Sequence, residues 1–112
     1  CPAGFASRPH MHTVSHETFY VIEGSATFLL GKEEHKGKIG DLIHIPPGVP
    51  HQMIAGDDGV RVLMVYSPGT TEAMFADMTA LTPEERADFK TGASVAAKHN
   101  TIWVENFPEN QS

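Results

Sequence analysis

The sequence is poor in cysteine and in positive charge, and it contains no long apolar run. Cys1 is the only cysteine, so the chain cannot form an internal disulfide, and nothing requires an oxidising compartment. No segment approaches the ~20 apolar residues of a membrane helix. Eight Lys and Arg against fourteen Asp and Glu give a formal charge of -6, which repels phosphate backbones. We therefore expect a cytoplasmic protein that binds neither nucleic acid nor membrane.

The length of the chain suits a single domain. It has 112 residues, of which 40% are apolar, enough for one packed core but not for two. Its first ten residues, CPAGFASRPH, contain no initiator methionine and no signal-peptide pattern. We expect that an N-terminal segment is missing from this sequence.

The most informative stretch lies between Gly4 and Gly24. His10 and His12 form an H-x-H pair, and in a β-strand both imidazoles lie on one face, ~6.6 Å apart. Glu17 follows five residues later, an offset that would place it on the opposite face of a straight strand. A turn or bulge over 13–16 is therefore predicted, after which all three side chains are candidate ligands of one metal ion.

A second stretch, from Gly40 to Ala55, supplies a third histidine. A short apolar strand, Asp41 to Ile45, ends at Pro46-Pro47-Gly48, because prolines confine such a turn to the boundary of a sheet. The chain returns to extended structure at His51, which we take as the fourth candidate ligand.

Together the two stretches resemble the cupin superfamily, and in particular small bacterial cupins similar to quercetin 2,3-dioxygenases. The cupin motifs read G-x5-H-x-H-x3,4-E-x6-G and G-x5-P-x-G-x2-H-x3-N. The sequence departs from them only at the last position, where alanine replaces the usual asparagine. The matching residues are Gly4, His10, His12, Glu17 and Gly24 in the first motif, and Gly40, Pro46, Gly48 and His51 in the second.

The resemblance implies an all-β fold, a single jelly-roll barrel with residues 1–68 as its core. The pattern of short strands and turns agrees with a sandwich or barrel. Hairpins are predicted at Glu23-Gly24 and over Gly56-Asp57-Asp58-Gly59, and a short edge strand over Glu33 to Lys38.

Residues 69–112 are expected to form two α-helices and an extended tail that pack on the barrel. Thr71 to Met78 is a short amphipathic pattern. Thr82-Pro83-Glu84-Glu85 is a capping box, which predicts a helix from Pro83 to about Lys98. In the tail, Trp103 and Phe107 are candidate packing residues, and the polar end, Asn110-Gln111-Ser112, is expected to fray.

Three histidines and a glutamate suit one divalent transition-metal ion, which could be iron, nickel, cobalt, manganese, copper or zinc. The alternative is that His10 and His12 are strand histidines without a metal. Phe19 and Val21 share strand parity with Glu17, so we place them in the wall of a substrate pocket. Met53 shares parity with His51 and is either a pocket residue or a core methionine. His16 is expected to point away from the ion, and His44 to face away from the apolar side of its strand.

The resemblance favours a metal-dependent dioxygenase that acts on a flavonol-like or other enol or phenolic small molecule. Glu17 is the acidic side chain of the two motifs that points where the histidines point, so we assign it the further role of general base. The alternatives are a non-redox isomerase, decarboxylase or cyclase, and a protein that binds a small ligand without turnover. Exposed sheet edges also predict a homodimer.

Overall fold

A computed structural model describes residues 1–67, 71–105 and 107, with residues 71 and 72 described by their backbone alone. The predicted fraying of the last three residues lies outside this part of the chain. The strands are β1 (His10–His12), β2 (His16–Leu30), β3 (Glu33–Lys38), β4 (Leu42–Ile45), β5 (His51–Ser67) and β6 (Thr101–Trp103). The helices are α1 (Thr71–Thr79), α2 (Pro83–Ala87) and α3 (Phe89–Ala97).

The six strands form one antiparallel sheet in the order β3-β2-β5-β1-β6, and β4 also pairs with β2. The predominantly β architecture is confirmed, and β3 lies at the predicted edge. Strands β2 and β5 are the longest and pair along most of their length. The sheet is therefore organised around these two strands, and each contributes one of the four candidate metal ligands.

The predicted hairpins at Glu23-Gly24 and over 56–59 are wrong, because β2 and β5 run through both positions without reversing. Gly24 instead allows the backbones of the two strands to approach each other closely at Gly59. A Cβ at Gly24 would overlap the carbonyl of Gly59, and Gly24 has φ +72°. The pairing register shifts beside Gly24, so the glycines mark an irregularity of the ladder.

The inner face of β2 carries the apolar core. Burial alternates on each side of the irregularity at Gly24, as the two-residue period of a strand requires. It places Phe19 and Val21 before the irregularity, and Phe28 after it, inside with Ile45 and Met53. The rings of Phe19 and Phe28 lie 5.2 Å apart. Burying one such side chain contributes ~1.5–3 kcal/mol, so this core holds rigid the strand that also carries Glu17.

The described residues of the C-terminal part form three helices, which corrects the expectation of two. The long helix predicted from Pro83 is divided at Asp88, whose backbone is extended (φ -75°, ψ 116°) and whose carboxylate accepts a hydrogen bond from the N–H of Thr91. Aspartate competes for backbone donors and is a favoured N-cap, so it ends α2 and starts α3. The predicted capping box of Thr82 and Glu85 is confirmed.

Trp103 joins this helical part to the sheet. The start of the predicted extended tail, Thr101–Trp103, forms β6 and pairs with β1. Gly92 of α3 is buried, and a Cβ there would overlap the indole ring of Trp103. Glycine in the middle of α3 therefore allows the indole to lie against the helix backbone. Within the described residues, no helix is both long and apolar enough to span a membrane.

Candidate metal centre

Three strands bring the four predicted ligands together. His10 and His12 lie on β1, Glu17 lies near the start of β2, and His51 is the first residue of β5. The predicted bend is present at 13–15, and it reverses the parity that would have separated Glu17 from the histidines. His10 and His51 are direct cross-strand partners. We call these residues the four-residue cluster.

The donor atoms of the cluster converge on one point. Each residue offers one nitrogen or oxygen atom, and these atoms all lie within 4.8 Å of one another. Oε2 of Glu17 is 2.9 Å from Nε2 of His51 and 3.1 Å from Nε2 of His12. Glu17, His12 and His51 are buried, with side chains only 2–4% exposed, so water does not compensate for their polarity.

Backbone carbonyls orient two of the histidines. Nδ1–H of His10 donates to the carbonyl oxygen of Arg8 at 2.6 Å, and Nδ1–H of His51 donates to the carbonyl of Val49 at 2.9 Å. Since a neutral imidazole carries one N–H, these bonds leave the lone pair on Nε2. Both Nε2 atoms are then electron-pair donors.

A threonine near the C-terminus orients the third. Nδ1 of His12 lies 3.0 Å from Oγ1 of Thr101, and the Thr101 hydroxyl donates to the carbonyl oxygen of His99 at 3.3 Å. The hydroxyl oxygen therefore accepts from Nδ1–H of His12, and the Nε2 lone pair of His12 also faces the cluster. Such outer hydrogen bonds commonly fix the tautomer and orientation of metal-binding histidines.

This donor set fits a divalent transition-metal ion. Nε2 of His12 is buried and makes no hydrogen bond to any described residue, although Oε2 of Glu17 is 3.1 Å away. Three nitrogen lone pairs and one carboxylate facing each other repel unless a cation lies between them. Imidazole nitrogen and carboxylate oxygen are the donors that first-row divalent ions accept. The cluster could therefore hold such an ion, whose identity these donors do not select.

The electrostatics keep Glu17 ionised and His10 neutral. Burial alone would raise the pKa of Glu17, but the imidazoles of His12 and His51, which lie against its carboxylate, outweigh burial and hold that pKa well below its ordinary value of 4.5. Burial, followed by the nearby His51, lowers the pKa of His10 from 6.5 to about 4. At neutral pH the cluster therefore presents a carboxylate and a neutral imidazole, the protonation states that bind metals.

Tyr66 is a member of the site that sequence reasoning missed. It lies opposite Glu17 in the pairing of β2 with β5, and its ring is 5.6 Å from that of His12. Burial raises the pKa of Tyr66, and the negative charge of Glu17 raises it further, so the phenol stays protonated. The only sequence signal was its position on an apolar strand, since the pairing partner was not known.

A cavity of about 410 Å³ adjoins the cluster. Phe19 and Met53, two of the three predicted pocket residues, line it. Val21 is fully buried in the core and is not among the lining residues. The C-terminal part contributes lining residues that the sequence did not suggest, namely Met74, Phe75, Met78, Arg86, Thr101 and Trp103.

His16 and His44 lie on the outer face of the sheet, as predicted. Both are exposed, their rings stack with centroids 5.3 Å apart, and Nδ1 of His16 is 3.3 Å from Nε2 of His44. We call them the outer pair. Neither residue belongs to the four-residue cluster.

The chain has relatives among curated proteins. It is 30% identical over 77 residues to dimethylsulfoniopropionate lyase DddW of Ruegeria pomeroyi, which covers 69% of this chain and 50% of the lyase. The chain spans about half the length of the curated relatives it matches.

Solved structures share the fold. An uncharacterised protein from Klebsiella pneumoniae with a double-stranded β-helix domain is 27% identical, with a TM-score of 0.58 and 62% of each chain covered. Salicylate 1,2-dioxygenase from Pseudoaminobacter salicylatoxidans is 23% identical, with a TM-score of 0.57 over 66% of this chain and 21% of the dioxygenase. Residues 1–66, more than half of the chain, match the family model of the cupin domain. The chain therefore belongs to the cupin family.

Proposed function

We propose that the protein is a metal-dependent enzyme, a dioxygenase that acts on an apolar enol or phenol. The observation that carries this proposal is the convergence of three histidine nitrogens and one carboxylate beside a cavity of about 410 Å³. These donors would accept a divalent transition-metal ion, and the cavity beside them would admit an organic substrate.

In this proposal His10, His12, Glu17 and His51 hold the ion, which supplies Lewis acidity and, if it is redox-active, a route to dioxygen. Glu17 is ionised and lies at the cavity wall, so it can accept the hydroxyl proton of a substrate bound there. Tyr66, a protonated phenol in the same wall, can donate a hydrogen bond to a substrate oxygen.

The walls of the cavity support an apolar substrate. Phe19, Phe28, Ile45 and Met53 form one side, and Met74 of α1 approaches from the C-terminal part. Such walls exclude water and bind the ring of an enol or phenol by burial of apolar surface. We propose that residues 69–112 close this cavity over the core formed by residues 1–68.

Elemental analysis followed by oxygen uptake tests the proposal. Purified protein is first assayed for bound transition metals, then given flavonols and other enols in an oxygen electrode, with His51→Ala as the metal-deficient control. We expect oxygen consumption that matches substrate loss and is absent in the control. A metal-loaded protein that consumes no oxygen with any enol or phenol would refute the dioxygenase.

A non-redox lyase or isomerase is the second candidate, and two observations favour it. The relative DddW is named a lyase, and the protonated hydroxyl of Tyr66, in the cavity wall with Glu17, can stabilise negative charge that develops on a substrate oxygen by donating a hydrogen bond. Such chemistry needs a Lewis acid and acid-base groups but no dioxygen. If substrate is lost at the same rate without oxygen as with it, the enzyme is a non-redox lyase or isomerase and not a dioxygenase.

We further propose a homodimer formed through the outer face of the sheet. Tyr20 of β2 lies between Leu42 of β4 and Leu63 of β5, and Val65 is close by on β5. These side chains are 42–65% exposed. A two-fold interface brings a patch against itself, and this patch carries no charged side chain to repel its copy. Its four apolar residues suit the centre of an interface that buries ~800 Å² per partner.

Light scattering tests the dimer with two matched variants. Leu63→Glu should give a monomer, because it places a charge in the centre of the interface, whereas Ile39→Glu, at an exposed residue outside the patch, should leave the dimer intact. A monodisperse monomer of the unchanged protein at micromolar concentration would refute the proposal.

A further inference from the structure

We propose that the ligand of the cavity is an apolar carboxylate, and that Arg8 and Arg86 bind its anionic group. This inference rests on the proposed function, since it names the class of molecule that the metal-dependent site takes. It comes from two arginines that line the same cavity as His10, Glu17 and His51.

The distribution of arginine is uneven. The chain contains only three arginines, and two of them line this cavity. The third, Arg61, lies outside the cavity and pairs with Glu23 at 3.5 Å. Neither Arg8 nor Arg86 has a carboxylate within ion-pair distance among the described residues. Acidic residues outnumber basic ones by fourteen to eight, so a shortage of acids does not explain two unpaired guanidinium groups.

Arg8 is held in place by aromatic rings rather than by an acid. Its guanidinium carbon is 4.5 Å from the centre of the Trp103 ring and 5.9 Å from that of Phe89. Stacking of this kind uses the flat face of the guanidinium and leaves the N–H groups on its edge free to donate. These groups match the two oxygens of a carboxylate.

Arg86 comes from the opposite end of the chain, on α2. Its Nη1 donates to the carbonyl oxygen of Met78 at 3.4 Å, a long bond that uses one of five donors. The cavity wall therefore has positive charge from two separate segments, one before β1 and one in the helical part.

The remaining lining defines the body of the ligand. Apart from Glu17, every charged side chain of a described lining residue is one of these two arginines, and most of the other lining residues are apolar. Both arginines are exposed, so an anion at the mouth of the cavity keeps part of its hydration, but as its apolar body enters the interior it still needs a counter-charge. The arginines provide it, and the phenylalanine and methionine side chains contact an apolar body. An apolar molecule that ends in a carboxylate satisfies both.

The test compares two ligands that differ only in charge, 3-phenylpropanoate and 3-phenylpropanamide. Trp103 is the only tryptophan and lines the cavity, so its fluorescence reports binding, and calorimetry gives an independent Kd. We expect the carboxylate to bind about tenfold or more tightly than the amide, since a hydrogen bond to a charged group is worth that much. Added salt should weaken the binding of the carboxylate and leave the binding of the amide unchanged.

Three substitutions locate the effect. Arg8→Gln and Arg86→Gln should each reduce the preference for the carboxylate, and the double variant should abolish it. Arg61→Gln, the matched control outside the cavity, should keep it. If Arg8→Gln does not fold, Arg86→Gln and Arg8→Lys, which keeps the charge but loses the two-pronged geometry, still test the proposal.

Equal binding of the two ligands, or binding of neither, would overturn the carboxylate inference. A preference that survives in the double variant would also overturn it, because the anion would then be held by the four-residue cluster. The outcome is separable from the proposed function. If only neutral enols support oxygen uptake, the dioxygenase proposal stands and the carboxylate inference fails. If the carboxylate binds but no substrate supports oxygen uptake, the carboxylate inference stands and the dioxygenase proposal fails.

Discussion

Two groups of histidines in this chain have the same side-chain chemistry and different surroundings. In the four-residue cluster, Nδ1 of each imidazole forms a hydrogen bond to an oxygen atom, and Nε2 faces the ionised carboxylate of Glu17. In the outer pair, His16 and His44 are exposed and contact each other, and Nδ1 of His44 lies 3.2 Å from the hydroxyl of Thr18. The difference is in orientation and burial, not in residue type.

The comparison shows what a candidate metal site requires beyond histidine. The cluster has fixed tautomers, a negative partner and little water, so its donors are directed before an ion arrives. The outer pair has two donors without a carboxylate, and solvent competes for them. Preorganised donors lose less conformational entropy on binding, which is why we expect the two groups to respond differently to the same substitutions.

Removing one ligand should have the largest effect. We expect purified protein to hold about one transition-metal ion per chain and His51→Ala to lose most of it, because a buried ligand is replaced by a methyl group. His44→Ala in the outer pair is the matched control and should keep full occupancy. Elemental analysis after dialysis measures both. Full occupancy in both His51→Ala and His10→Ala would show that the cluster is not the metal site.

Changing the charge of the cluster without its shape should separate catalysis from binding. Glu17→Gln keeps an oxygen donor but cannot take up a proton, so turnover should fall ~10²–10⁴-fold while metal content falls much less. Both quantities are measured on the same preparation once a substrate is found. Turnover close to that of the unchanged protein, in a metal-loaded variant, would leave Glu17 as a ligand only.

Removing an outer hydrogen bond should have a smaller effect. Thr101→Val deletes the hydroxyl that accepts from Nδ1–H of His12, and loss of such a partner typically lowers metal affinity ~10–100-fold. Thr18→Val removes the corresponding hydroxyl beside the outer pair and should not change affinity. Competition with a chromogenic chelator gives both values, and equal affinities in the two variants would contradict the assigned role of Thr101.

Acid should lower the free energy of unfolding of the metal-free protein, because His10 becomes protonated more readily in the unfolded chain. Its pKa is lowered from 6.5 to about 4 on folding, so the unfolded chain binds more protons between these values, and stability falls as pH drops through that range. At pH 5 the loss is up to about 2 kcal/mol relative to pH 7. The low pKa of Glu17 acts in the same direction, but only below about pH 4.5.

Urea unfolding of chelator-treated protein at pH 7 and pH 5 measures this loss. His10→Gln should reduce the difference between the two pH values, and His44→Gln should leave it unchanged. A difference of the same size in His10→Gln and in the unchanged protein would contradict the assignment to His10.

Local pattern predicted much of the molecule. The motif spacing indicated the family, the bend before Glu17 and the turn at Pro46-Pro47-Gly48, and all three are present. The prediction from local pattern failed where residues that are distant in the sequence but close in space determine the structure. Gly24 reads as a turn in the sequence, but here it permits the close approach of β2 and β5. Asp88 reads as a helix residue, but it caps the next helix.

By itself, the sequence determined the candidate ligands, because strand parity and motif spacing are local properties of the chain. Only the tertiary structure decided which atoms support them. Thr101 contacts His12 across 89 residues, and Tyr66 lies opposite Glu17 through strand pairing. Arg8 and Arg86 line one cavity from distant segments. These contacts depend on the register of paired strands and on how the helices pack, and no local pattern encodes either, since the partner lies far away along the chain.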